Sequence, residues 1–290
     1  MIIDIHTHMF PPKIAPSALQ FMQSNCHTAL FSDGTAEGLS ACEKRAGVNL
    51  AVVQPVATNP EKVSHINDAA IEANKHTKET GILSFGGMHP ACPYWEKELE
   101  RIKEAGIAGI KLHPAYIAVD IDDPRSVAVL RKCRDLGLIV LIHSGWDVGI
   151  PGAEEALPDK IRRALDKTGP LRLIAGHMGG WKCWKEGQNL LAETGIYIDT
   201  AFAFGEMVPA PGSCVWSRED LRLLDTEGFC GLMDAYGTGY VLFGTDSPWA
   251  DPGTEIEKIR QLPLPQEDIS RILGINAEEL LSSAGICFKD

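Results

Sequence analysis

Nothing in the sequence has the form of a leader or a membrane span. Met1-Ile2-Ile3-Asp4 brings no basic run and no long apolar stretch, so no signal peptide is expected. The densest apolar run, around Leu138 to Ile142, is far too short to cross a bilayer. A cytoplasmic chain with no membrane partner is the expectation. Positive charge is also scarce: 27 Lys and Arg stand against 39 Asp and Glu, a formal charge of −12. That balance argues against nucleic acid or an anionic membrane as main partner and leaves a small-molecule substrate. The charge of that substrate stays open, because a bound cation can make one pocket positive on an acidic protein. The eight cysteines (Cys26, Cys42, Cys92, Cys133, Cys183, Cys214, Cys230, Cys287) contain no C-x-x-C pair, which speaks against a zinc–thiolate cluster and for structural thiols. No Pro/Gly/Ser-rich linker divides the chain, so residues 1–290 are expected to form one domain.

What is present is a recurrence of short Val-, Ile- and Leu-rich runs. They predict strands at Ile2–His8, Leu50–Val56, Ile82–Met88, Gly109–His113, Leu138–His143, Leu171–His177, Ile196–Thr200 and Val241–Asp246. Helix-like stretches lie between them, among them Ala69–Glu79, Tyr94–Ala105, Pro124–Leu136, Pro158–Lys167 and Thr254–Gln261. Strands alternating with helices imply parallel βαβ units, and eight of them suggest closure into a (β/α)8 TIM barrel. Two connections that follow strand ends are long, Phe10–Ala36 and Ala201–Ser217. With Pro114–Asp123 they are expected to shape the pocket, since loops of this fold gather at the C-terminal mouth.

The chemistry concentrates at the strand ends. In Asp4-Ile5-His6-Thr7-His8 the two histidines are two apart, so on a strand they face one side, about 6–7 Å apart. Alone, H-x-H is a weak pattern. It gains weight from repetition: Leu138-Ile-Val-Leu-Ile-His143, Leu173-Ile-Ala-Gly-His177 and Val241-Leu-Phe-Gly-Thr-Asp246 are each an apolar strand ending in a metal-ligand residue type. A closed barrel brings such ends to one mouth. Imidazoles plus a carboxylate, without thiolate, suit Zn²⁺ and also Mn²⁺, Fe²⁺ or Ni²⁺. Lys111 and His113 are two apart on the fourth strand and face the same way. Of the weaker features, His89 has a structural reading, and Trp181, Trp184 and Trp249 have two equal ones, a cover over the substrate or packed rim aromatics. Asp4 is read as a buried, hydrogen-bonded acid in preference to a support for a ligand. Arg125 and Arg218, possible anion binders, read better as solvated or structural charges.

With these pieces in place the chain resembles the amidohydrolase superfamily, in particular its amidohydrolase-2 branch of TIM-barrel metal-dependent hydrolases. The matching segments are Asp4-x-His6-x-His8, Gly109-Ile-Lys-Leu-His-Pro114, Ile142-His-Ser-Gly145, Gly176-His-Met-Gly-Gly180, Gly244-Thr-Asp-Ser-Pro248 and Ile272-Leu-Gly-Ile-Asn-Ala277. The resemblance implies that His6 and His8 are ligands from the first strand, His143 from the fifth and Asp246 from the eighth. His177 becomes either a second-metal ligand or a catalytic group. Lys111 stands where binuclear members carry a carboxylated lysine or a glutamate; it is either such a ligand or a cation for a substrate carboxylate. One or two ions per chain are expected, Zn²⁺ first. The implied reaction is attack of an activated water on a carbonyl (amide, lactone or ester), with Asp246 exchanging the proton and His177 assisting at the oxygen. The alternative within the branch is a mononuclear, non-oxidative decarboxylase of a small aromatic or unsaturated carboxylic acid. Homodimers are common among such barrels.

Overall fold

The computed structural model describes residues 1–288. Its strands are β1 (Ile3–Thr7), β2 (Leu50–Val53), β3 (Ile82–Ser84), β4 (Gly86–Gly87), β5 (Gly109–Leu112), β6 (Ile139–Ile142), β7 (Leu173–Ala175), β8 (Tyr197–Asp199) and β9 (Val241–Leu242). They pair in parallel in the orders β1-β2-β3 and β4-β5-β6-β7-β8-β9. Only Phe85 separates β3 from β4, and its N–H donates to the Val53 carbonyl (2.9 Å), so the two pieces form one stave. The ring closes through three backbone bonds: Ile5 N–H to Phe243 O (2.9 Å), Asp246 N–H to His6 O (2.8 Å) and His8 N–H to Ser247 O (2.7 Å). The result is the eight-stave TIM barrel expected from the sequence.

Both faces of the staves are buried, which is why the strand runs are almost continuously apolar. One set of side chains, including Ile110, Val140, Ile142, Leu173 and Val241, packs outward with helix residues such as Leu99, Leu130, Ile161 and Phe229. The alternate set, including Leu50, Val52, Phe85, Leu141, Ile174 and Leu242, forms an inner cluster with Ala277, Leu280 and Leu281 of the last helix, Asn276–Ser283. Asn276 fastens that helix to the last stave, its Nδ2 donating to Thr238 O and Val241 O.

Two helix boundaries differ from those expected. The stretch expected at Ala69–Glu79 is Val63–Asn74 followed by a separate turn, Thr77–Thr80. The last of the expected helices starts earlier, at Pro252–Arg260, because Asp251 caps it by accepting from Thr254 N–H. The Phe10–Ala36 connection is more than a loop: it carries the helix α1 (Ala15–Cys26) and leads into α2 (Ala36–Ala46).

Candidate metal centre

Position along β1 is set by an irregularity. Between Asp4 and Thr7 the pairing with β2 slips, the four residues Asp4 to Thr7 of β1 spanning what the three residues Ala51 to Val53 span on its neighbour. Ile3 and Ile5 therefore join the inner cluster while His6 and His8 still reach the mouth. Asp4 does not share their role. It is fully buried and accepts from the Thr245 hydroxyl (2.5 Å), Thr245 N–H and His6 N–H (3.1 Å each), and so ties the first stave to the last.

The imidazoles are held by their Nδ1 atoms. His6 Nδ1 donates to Asp199 Oδ2 (2.9 Å), His8 Nδ1 to Gln54 O (3.0 Å) and His177 Nδ1 to Ala201 O (2.8 Å). A neutral imidazole has one N–H, so each of these rings is left with an Nε2 lone pair. His8 Nε2 nevertheless lies 3.0 Å from Asp246 Oδ1, and His6 Nε2 lies 3.5 Å from that oxygen and 2.9 Å from Lys111 Nζ. Two lone-pair nitrogens facing a carboxylate oxygen call for a positive charge among them. The ligand atoms of His6, His8 and Asp246 lie within 4.8 Å of one another, as do those of His6, His177 and Asp199. This donor set fits a divalent transition metal.

Electrostatics point the same way. Burial holds His6 well below the ordinary histidine range, reinforced by Lys111, and lowers His177 to about 3. Both are neutral and available as ligands at neutral pH. Burial by itself would raise Asp246. The contact with His8 and the charge of the neighbouring His6, His8 and His177 in their protonated forms outweigh it and hold the carboxyl well below the carboxylate range, a place that a bound cation takes when the imidazoles are neutral. Lys111, 1% exposed, is lowered by burial to about 8, partly offset by Asp246, Asp199 and Asp147.

Two of these residues stand on unusual backbone: His177 (φ 59°) and Asp246 (φ 64°) occupy the left-handed region. Such conformations cost energy for a residue with a Cβ and persist where the surroundings enforce them. Asp199 supplies part of that enforcement, since its Oδ1 accepts from His177 N–H and Ala201 N–H (2.9 and 3.1 Å) while Oδ2 holds His6. Gly244 makes room: a Cβ there would lie 3.0 Å from His6 Cβ.

His143 reaches the mouth, its ring centroid 4.7 Å from that of His177, but its Nε2 donates to Trp146 O (2.9 Å). Its closer partners are His113, stacked on it at 4.5 Å, and Asp147, whose Oδ2 lies 3.5–3.6 Å from both imidazoles. The six sequence-predicted positions His6, His8, Lys111, His143, His177 and Asp246 thus line one cavity, with His143 turned toward a second cluster. Sequence reasoning passed over Asp199, Gln54 and Asp147. Asp199 carried a signal, an acid at the end of the seventh apolar run. Asp147 and Gln54 carried none, since only folding brings them to the imidazoles. Arg125 is exposed and paired with Asp123, and neither it nor Arg218 lines the cavity. His89 accepts from Ala91 N–H and also stays out of it. Trp181 and Trp249 line it; Trp184 instead donates to His177 O.

Residues 3–282 match the amidohydrolase family. The chain belongs to that family. Solved structures agree on the fold. An uncharacterized TIM-barrel protein from Bordetella bronchiseptica superposes with a TM-score of 0.72 at 19% identity, over 98% of this chain and 99% of the other. A dihydroxybenzoic acid decarboxylase from a Polaromonas species, with manganese and 2-nitroresorcinol bound, gives 0.70 at 15% identity, over 97% and 96%. A probable 2-pyrone-4,6-dicarboxylic acid hydrolase from Acinetobacter baumannii, with citric acid bound, gives 0.62 at 14%, over 97% and 99%. No curated protein matches the sequence significantly. Among the described residues, no helix is long and apolar enough to cross a membrane.

Proposed function

We propose that the protein is a metal-dependent hydrolase acting at a carbonyl carbon of a small amide, lactone or ester. The observation that carries this reading is the convergence of the Nε2 atoms of His6 and His8 on Asp246 Oδ1, with Lys111 Nζ beside them and His143 and His177 at the same mouth. His6, His8 and Asp246 would hold one ion; Lys111, His143 and His177 supply donors for a second. A divalent ion bound there supplies Lewis acidity toward a water and a carbonyl oxygen. Zinc is the first choice for a histidine–carboxylate set, and the manganese of the Polaromonas structure makes Mn²⁺ the next to test.

The chain's own groups then divide the work. Asp246, held ionised, accepts the proton of the attacking water at its carboxylate and returns it to the leaving group. His177, fixed through Ala201 O, points an unprotonated ring nitrogen into the site and orients the substrate. Lys111 would either help hold an ion as a carboxylated lysine or offer an ammonium to a substrate carboxylate; its lowered pKa makes the free amine accessible. Trp181, Trp249 and Phe202 screen the floor from bulk water.

A second reading, non-oxidative decarboxylation of an aromatic or unsaturated acid, is favoured by the decarboxylase activity of a structural neighbour and by the largely apolar cavity walls. Metal-loaded protein incubated with lactones, amides and esters, and separately with aromatic acids, in oxygen-18 water separates the two. Label in the product without CO₂ supports hydrolysis. CO₂ release with no turnover of any lactone, amide or ester overturns it in favour of the lyase.

A further inference from the structure

The metal-centre residues occupy only the floor of a cavity of about 790 Å³. Its upper wall is α1. On one broad apolar face of that helix, Ala15 and Leu19 are buried in the protein beside Cys26, which also reaches the cavity, whereas the N-cap Ile14 with Ala18, Phe21 and Met22 lines the cavity alone. The second set falls at i, i+4, i+7 and i+8, one stripe of a helix. Ile14 and Phe21 are 50% and 66% exposed, among the most exposed large apolar residues of the chain. Ile66 and Ala69 of the helix Val63–Asn74 contribute further to the lining. Charge is confined to the floor: among the described residues Lys111 is the only lysine in the lining and there is no arginine, while the acids are Asp147 and Asp246.

We infer that the cavity is built for an amphipathic substrate, with a single carboxylate or carbonyl head at the His6–Lys111–Asp246 floor and an extended apolar body along the Ile14–Ala18–Phe21–Met22 stripe. This rests on the floor being the metal centre proposed above. Away from the floor the described residues of the lining offer no lysine or arginine, so an anionic group carried up along α1 has no cation to meet it. A small head group alone would leave the α1 stripe wet. An apolar body of several carbons covers that stripe, and its burial provides the binding energy that fixes the head at the floor.

The probe is a series of straight-chain monocarboxylates, butanoate to decanoate, titrated calorimetrically into metal-loaded protein. Each methylene buried along α1 should lower Kd by two- to fourfold, the upper figure corresponding to about 0.8 kcal/mol per CH₂, until the cavity is full. Ala18→Asp, at a half-exposed position, and Phe21→Ser, at an exposed one, should flatten the series. Each should weaken decanoate at least tenfold and leave butanoate within twofold. A Kd independent of chain length, or equal weakening of butanoate and decanoate by both variants, would overturn the inference. Metal content is measured on the same samples. A chain that takes up no metal and keeps the slope supports the apolar wall and defeats the metal-centre reading; a metal-loaded chain without the slope defeats the apolar wall alone.

Discussion

His8 Nε2 and Asp246 Oδ1 face each other at 3.0 Å while the other nitrogen of His8 donates to the Gln54 carbonyl. In the neutral ring that contact sets a lone pair against a carboxylate, an arrangement that a shared cation relieves. The protein supplemented with Zn²⁺ or Mn²⁺ should therefore carry one to two equivalents per chain by elemental analysis, with the higher figure requiring bicarbonate if Lys111 is carboxylated. His6→Ala with His8→Ala should carry less than a tenth of an equivalent and keep its circular dichroism. Full metal content in that double variant would remove both histidines from the site. Asp246→Asn should retain part of the metal and lose most turnover.

Asp199 is expected to govern His6 from behind. Its Oδ2 takes the His6 Nδ1 proton and its Oδ1 takes two backbone N–H groups. Asn at this position has one acceptor oxygen, so its NH₂ must face a donor on one side or the other. With the NH₂ toward His6, the ring proton is driven to Nε2, the nitrogen needed by the ion. Asp199→Asn should lower metal affinity about 10- to 100-fold, the usual cost of losing such a support. Titration against a competing chelator measures it; an unchanged affinity would show that the tautomer is set elsewhere.

Lys111 should destabilise the metal-free protein in a defined pH window. Its folded pKa is about 8 against 10.5 for the free side chain, with burial the principal cause. Below pH 8 it is protonated both folded and unfolded, and the buried charge exacts its full cost. Between pH 8 and 10.5 the unfolded chain binds the extra proton, so stability rises with pH and the cost fades. Lys111→Met should accordingly stabilise the apoprotein below pH 8, by on the order of 3 kcal/mol. The gap from wild type, followed by urea denaturation, should close toward pH 10.5. A gap of constant size would show that the ammonium is not what burial penalises.

Gly145 should tolerate no side chain. It sits at φ 86° and pairs with Trp181, and a Cβ would fall 2.2 Å from the Trp181 backbone nitrogen. Gly145→Ala combines left-handed strain with overpacking and should lower stability by on the order of 2 kcal/mol or more. The urea midpoint should fall at unchanged slope, with altered tryptophan fluorescence from the Trp181 wall of the cavity. A midpoint within error of wild type would show that the two loops part freely.

The eight staves, their order and the residue types at their ends were legible in the sequence. A stave buried on both faces must be apolar throughout, and a polar residue can appear only where the run ends at the mouth. His6, His8, His143, His177 and Asp246 stood out against that background, and the family segments ran through most of the chain. Lys111 stood out as a cation inside a buried run. The helix α1 did not stand out, because Pro11, Pro12 and Pro16 crowd its start and mark the segment as a loop, and its twelve residues carry only a few large apolar side chains.

Tertiary structure alone decided the rest. Which nitrogen of each imidazole is available depends on acceptors 46 to 193 residues away in the chain, Gln54 for His8 and Asp199 for His6. The slip in β1 that turns His6 toward the mouth depends on pairing with β2. The turn of His143 toward His113 and Asp147 depends on the Trp146 carbonyl and on a loop whose sequence has no ligand pattern. Residue types are local properties and can be read along a chain. Tautomer, register and convergence belong to contacts between distant segments, and they exist only once the barrel has closed.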